Sequence, residues 1–79
     1  MTIRVTEQDI EESTTNNAVT PVERALKRTT GAPWLVFDSG LAREVRPPFR
    51  CGLVPNDIRP QVLSTDGAAR PCEFNLESL

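Results

Sequence analysis

The side chains best suited to covalent chemistry in this 79-residue chain are the thiols of Cys51 and Cys72. The chain contains no histidine, which is the commonest general base and the commonest metal ligand in proteins. A cysteine or serine nucleophile therefore lacks its usual base, and Lys27 is not a convincing substitute. Two cysteines without histidine cannot close a tetrahedral zinc site. The sequence predicts a protein that is not an enzyme and has no catalytic or metal-binding residue.

A cluster of carboxylates near the N-terminus is the next candidate, because paired acids can catalyse proton transfer or bind a divalent cation. Its members are Glu7, Asp9, Glu11 and Glu12. They lie along one short segment, whereas paired catalytic acids need a walled pocket, so a solvated helix face is the favoured interpretation. The four glycines are far apart, which argues against a phosphate-binding loop. We therefore expect no cofactor.

Cysteine content and hydropathy bear on the cellular compartment. Two cysteines could form one disulfide but are too few for a secreted disulfide scaffold, so free thiols are favoured. No apolar run is long enough to cross a bilayer, and the N-terminus lacks the basic and apolar stretches of a signal peptide. The expectation is a cytoplasmic protein without a membrane partner.

The charges are unevenly distributed along the chain, although the net charge is only −2. Residues 24–59 carry seven basic and three acidic side chains, and the rest of the chain carries two basic and eight acidic ones. This pattern fits either a surface with two oppositely charged faces or acidic ends that fold back onto the basic middle. The second interpretation is favoured, because helix ends and solvated faces account for many of these charges.

A basic segment around a proline pair is the candidate binding site. Arginines and exposed aromatic rings are typical of protein-binding hot spots, and prolines order the chain before it binds. The candidate partner-binding residues are Arg43, Arg46, Pro47, Pro48, Phe49 and Arg50. Two interpretations stay open. Either Phe49 fills the core while the prolines turn a corner, or the segment projects as a stiff arm with Phe49 at an interface.

Nucleic-acid binding is the alternative use of the same residues. Arg43, Arg46 and Arg50 could grip a phosphate backbone while Phe49 stacks on a base. A sequence pI of about 5.0 is well below the basic balance of such domains, so the sequence argues against nucleic acid as the partner.

Local capping signals predict the main helix over residues 21–30. Thr20 can cap it, Pro21 suits its first position, and Glu23 completes a capping box. Gly31 can adopt the left-handed conformation that ends a helix.

Weaker signals predict one or two further short helices. Thr6, with Asp9 three residues on, can cap a helix of at most two turns, and the polar run 13–17 then predicts an exposed loop. A third helix is predicted over 58–64, ended by Asp66-Gly67.

Hydrophobic patterning predicts four strands. Alternation marks 3–5, 41–46 and 72–76, whereas the continuous apolar run 34–37 predicts a central strand covered on both faces. The turn after 34–37 predicts a hairpin with 41–46. The alternation over 72–76 leaves one face of this strand exposed to solvent, which predicts a position at the edge of the sheet. A homodimer could form through this edge.

These elements predict a single small α+β domain over residues 1–79. Its mainly antiparallel sheet has about four strands, and the helix over 21–30 lies across one face. The sequence leaves open whether residues 1–19 are ordered. Large rings bury the most area, so the core is expected to centre on the four aromatic residues, Trp34, Phe37, Phe49 and Phe74.

Three short patches follow one another along the sequence. They are Val5-Thr6 followed by Ile10, Pro21-Val22 leading to Ala25-Leu26, and Asp66-Gly67 with Pro71, Phe74 and Leu76. In these patches the chain resembles a loose group of short accessory proteins of undetermined activity encoded by tailed bacteriophages.

The resemblance implies a setting, which is the cytoplasm of an infected bacterium. Small phage proteins without catalytic groups generally act by occupying a surface of a host protein. The implied function is binding that modulates or inhibits a host protein complex, such as an immune effector, the transcription machinery or a protease. A structural or assembly component of the virion is a further alternative.

Overall fold

A computed structural model describes residues 1–15, 19–59 and 70–78 of the chain. Its two helices and six strands confirm the predicted α+β class, but the strands form two antiparallel sheets rather than one. The strand orders are β1-β5 and β2-β3-β4-β6. In chain order the elements are β1 (Thr2–Val5), α1 (Glu7–Thr15), α2 (Pro21–Thr30), β2 (Trp34–Val36), β3 (Leu41–Glu44), β4 (Cys51–Leu53), β5 (Cys72–Asn75) and β6 (Glu77–Ser78).

The main helix, α2, begins and ends where its capping residues predict. The Thr20 hydroxyl accepts a hydrogen bond from the Glu23 amide at 3.3 Å, and the Glu23 carboxylate accepts one from the Thr20 amide at 3.3 Å. At the other end Gly31 has φ 77°, and its amide donates to the Lys27 carbonyl at 2.7 Å. The prediction over 21–30 is confirmed because all of its signals are local.

Helix α1 is longer than predicted. The Thr6–Asp9 cap is present, since the Asp9 carboxylate accepts from the Thr6 amide at 2.9 Å. The loop predicted from residue 13 is wrong for Ser13–Thr15, which are helical. Ser13 is fully buried, and its hydroxyl donates to the Asp9 carbonyl at 2.8 Å. Burial against the fold overrides the turn preference of a serine–threonine run. The predicted loop residues 16–17 and most of the predicted helix 58–64 lie outside the described residues.

The core lies between α2 and the two sheets. Helix α2 contacts both β1 and β2, and it buries Val22, Ala25 and Leu26. Of the four rings expected in the core, Trp34 and Phe74 are buried, but Phe37 and Phe49 are 46% and 52% exposed. The core prediction is therefore wrong for Phe37 and Phe49. The remaining buried members of the core cluster are Ile3, Val5, Ala42, Val54 and Leu76.

The hairpin of β2 and β3 is confirmed, but the central position predicted for 34–37 is wrong. Among the described strands, β2 is at the edge of the four-stranded sheet and has β3 as its one neighbour. Its outer side is tied to α2, because the amide of Val36 donates to the Glu23 carboxylate at 3.0 Å. Leu35 is half exposed, so the predicted cover on both faces of this strand is also wrong.

The predicted alternation over 72–76 is confirmed. Strand β5 pairs with β1, with Ile3 opposite Phe74, and the side chains of Phe74 and Leu76 are buried. Among the helices in the described ranges, none is long and apolar enough to cross a membrane.

The acidic N-terminal end packs onto the basic middle, as the favoured charge interpretation expects. Asp9 of α1 forms an ion pair with Arg28 of α2 at 2.9 Å. Glu12 likewise pairs with Arg24 at 3.1 Å. These contacts hold α1 against α2 and neutralise two of the basic residues of the middle segment.

Candidate protein-binding face

The four-stranded sheet has one face on the core and one face on the outside. Strand residues alternate between faces, and residues directly opposite one another share a face. Leu35 lies opposite Arg43, which lies opposite Cys51, and all three are exposed. The neighbouring positions Ala42 and Gly52 are buried. The register therefore places the first three side chains on the outside of the sheet.

This outer face is largely apolar. Leu35, Phe37, Val45 and Phe49 are 50%, 46%, 45% and 52% exposed. The amide of Phe37 donates to the Leu41 carbonyl, and the amide of Val45 donates to the Pro33 carbonyl, so the ladder runs past both ends of β2. We define the outer face by Leu35, Phe37, Leu41, Arg43, Val45, Phe49, Cys51 and Leu53.

Arg43, on the outer face, is stacked on its aromatic neighbour, and Glu77 of β6, opposite Leu53, is an exposed acidic residue on the same side of the sheet. The guanidinium carbon of Arg43 lies 4.3 Å from the centroid of the Phe49 ring. An arginine that stacks on a ring uses the flat face of its guanidinium, which leaves the N–H groups at its rim free to donate. Within the described ranges the Arg43 side chain forms no hydrogen bond and no ion pair.

The structure separates the three arginines that the sequence groups together. Arg50 turns to the core side of the sheet, where it forms an ion pair with Glu44 and lies 5.6 Å from the centroid of a Trp34 ring. The Glu44 side chain is only 10% exposed, so Arg50 compensates a largely buried charge. Arg46 donates to the carbonyl of Gly31 at 3.3 Å. Arg43 and Arg50 therefore do not lie on one continuous basic surface.

Pro47 and Pro48 lie in the connection between β3 and β4. The amide of Glu44 donates to the carbonyl of Arg50 at 2.8 Å, which closes the connection into a hairpin loop. Of the two interpretations that the sequence left open, the prolines turn a corner between two paired strands, as in the first, but Phe49 is 52% exposed and does not fill the core. The loop stays exposed, and it returns Phe49 onto Arg43.

The remaining candidate for chemistry is a cleft of about 590 Å³ between α1 and α2. Four of its five charged lining residues are engaged in the ion pairs of Asp9 with Arg28 and of Glu12 with Arg24, and Lys27 is the fifth. In the described part of the chain no three acidic or cysteine side chains come together in a metal-binding group. Cys51 and Cys72 are free thiols, and burial raises the pKa of the Cys72 thiol.

The sequence predicted Arg43 and Phe49 as site residues but missed Leu35, Phe37 and Val45. The missed signal was the apolar run 34–37, which fits an exposed apolar face as well as a covered one. The alternation of 41–46 also placed Val45 on one face with Arg43.

Comparisons of the chain with protein-family models, curated proteins and solved structures give no match.

Proposed function

We propose that this protein is a non-enzymatic binding protein that docks a partner protein on its outer face. The observation that carries the proposal is a group of four large apolar side chains, each about half exposed, around a stacked arginine. Contiguous apolar patches on a small domain commonly mark interaction sites, and aromatic residues and arginine are enriched at their centres. The energy of binding comes from removing this apolar surface from water.

The biological setting of the proposal rests on the resemblance to small phage proteins. In that setting the protein is a phage accessory protein in the cytoplasm of an infected bacterium. Its partner is then a host protein complex, such as an immune effector, the transcription machinery or a protease, which binding modulates or inhibits.

Nucleic-acid binding is not favoured by the arrangement of the arginines. A backbone-gripping surface needs several free cations on one side. Arg43 lies on the outer face, whereas Arg50 lies on the core side and is paired with Glu44. The net charge of −2 also opposes a polyanionic ligand.

Affinity capture from bacterial lysate tests the proposed function. Tagged wild-type protein is compared with a Leu35→Thr/Val45→Thr variant, because threonine is β-branched and strands favour β-branched residues. Arg4→Gln, an exposed change on the other sheet, is the control. We expect the wild type and the Arg4→Gln control to capture a host complex that stays bound after nuclease treatment. The Leu35→Thr/Val45→Thr variant should not capture it.

Three outcomes would contradict the proposal. Capture that does not depend on the outer face would place the interface elsewhere. Binding that disappears with nuclease would favour nucleic acid. Recovery of the protein alone would favour self-association, for instance through the 72–76 strand, or a role in the virion.

A further inference from the structure

The outer face combines an apolar surface with a pre-positioned cation, Arg43, which has no ion-pair partner among the described residues. We infer that its partner supplies a short segment in which a carboxylate is flanked by apolar side chains, with the carboxylate bound by Arg43. This inference rests on the proposed function and adds the chemistry of the partner.

The first argument is the state of Arg43. Four other arginines of the described chain form ion pairs, which are Arg4–Glu73, Arg24–Glu12, Arg28–Asp9 and Arg50–Glu44. Arg43 instead stacks on Phe49, so the ring holds the guanidinium without using its N–H donors. A partner that covered the outer face without an acceptor would bury these donors unpaired, which is costly.

The second argument is the geometry of the donors. A guanidinium offers two parallel N–H groups that match the two oxygens of a carboxylate. Because Phe49 already restricts the side chain, less rotamer freedom is lost when the carboxylate binds. Leu35 and Cys51 flank Arg43 on the neighbouring strands, so apolar side chains beside the carboxylate would pack there.

The third argument is size. Strands are spaced about 4.8 Å apart and rise about 3.3 Å per residue, so three strands of five residues have a flat area on the order of 250 Å². A stable protein–protein interface buries about 800 Å² on each partner. The outer face therefore fits a peptide-sized segment and is too small to hold a dimer by itself.

Charge also argues against a second copy of this chain as the occupant. Two outer faces packed about a central two-fold axis would bring the two Arg43 side chains together, because Arg43 lies in the middle row of the face. Like charges facing each other in a desolvated interface oppose association.

Selection from a display library of random short peptides tests the inference. Peptides are selected on immobilised wild-type protein, and their affinities are measured for the wild type, Arg43→Gln and Arg4→Gln. Each variant is first checked for an unchanged unfolding midpoint. We expect selected peptides to carry Asp or Glu beside apolar residues. Arg43→Gln should weaken them at least about tenfold, the loss expected for a charge-assisted hydrogen bond, and Arg4→Gln should not.

A double-mutant cycle makes the test specific. Replacing the acid of a selected peptide by its amide should cause the same loss, with little further loss on Arg43→Gln. Peptides that depend on Leu35 and Val45 but tolerate Arg43→Gln would overturn the inference and leave the proposed function standing. Two outcomes would contradict both the inference and the proposed function. One is a set of peptides whose affinity is unchanged by every outer-face variant. The other is a concentration-dependent dimer that Leu35→Thr/Val45→Thr abolishes.

Discussion

The guanidinium carbon of Arg43 lies 4.3 Å from the centroid of the Phe49 ring, so that a strand residue and a loop residue form one unit. The proline-containing loop makes the contact by returning the chain from β3 to β4. The stacked pair remains exposed on an apolar sheet face. A side chain held in this way is ordered without being part of the core, which is the property expected of a binding residue.

Phe49→Ala should therefore leave the fold nearly intact. The ring is 52% exposed, and an exposed cation–π contact contributes about 0.5–1 kcal/mol. We expect the free energy of unfolding in urea to fall by no more than about 1 kcal/mol. The comparison is Phe74→Ala, which removes a buried ring and should cost about 3 kcal/mol or more. Equal losses from the two changes would assign Phe49 to the core.

Glu23 should contribute more to stability than its capping role alone predicts. One carboxylate oxygen accepts from the Thr20 amide and the other from the Val36 amide. Thr20→Ala removes part of the cap and should cost about 1 kcal/mol. Glu23→Ala removes both bonds and should cost about 2 kcal/mol. Glu23→Gln keeps one acceptor oxygen and should fall between the wild type and Glu23→Ala in urea unfolding.

The control for Glu23 is Glu7→Gln, an exposed change in the first turn of α1. A loss with Glu23→Ala no larger than with Thr20→Ala would show that the bond to Val36 contributes nothing to stability.

Two glycine substitutions should differ for steric reasons. A Cβ added to Gly52 would lie 2.7 Å from Leu76 Cγ and 2.8 Å from the carbonyl oxygen of Glu77, so β4 and the C-terminal strand would have to separate. A Cβ added to Gly31 would meet no atom within 4 Å, but its φ of 77° disfavours alanine by about 1 kcal/mol. Thermal unfolding should show a larger loss for Gly52→Ala. A larger loss for Gly31→Ala would contradict the close packing at Gly52.

The two thiols should react at different rates in the folded protein. Cys51 is exposed, whereas Cys72 is partly buried and burial raises the pKa of its thiol. Less of the Cys72 side chain is then thiolate at a given pH, and the thiolate is the nucleophile. With an alkylating reagent at pH 8, Cys72→Ser should retain fast labelling and Cys51→Ser should label slowly. The labelling rate of Cys72 in the Cys51→Ser variant should increase at a higher pH than the labelling rate of an unburied cysteine does.

Unfolding in urea should equalise the two rates, because it removes the difference in burial. Equal rates in the native protein would contradict the burial of Cys72.

The elements that the sequence predicted well are those specified by neighbouring residues. The ends of α2 follow from Thr20, Pro21, Glu23 and Gly31, whose effects are confined to one helical turn. The hairpin of β2 and β3 follows from a short turn between two apolar patterns.

The elements that it predicted wrongly depend on contacts between distant residues. An apolar run such as 34–37 is equally compatible with a covered strand and with a strand that exposes Leu35 on the outer face. The division of the six described strands into two sheets depends on the pairing of β6 with β4, which lie far apart in the chain. The neutralisation of Arg50 depends on the register that brings it to Glu44. None of these has a local signal.

Site-specific photo-crosslinking tests the central claim most directly. A photoreactive amino acid is placed at Leu35, on the outer face, or at Gln8, an exposed position on α1, and each protein is irradiated in bacterial lysate. The account predicts that position 35 gives a discrete crosslinked protein, that position 8 does not, and that Arg43→Gln reduces the product at position 35. A product at position 8 but not at position 35 would contradict the account, because it would place the partner on the helical side.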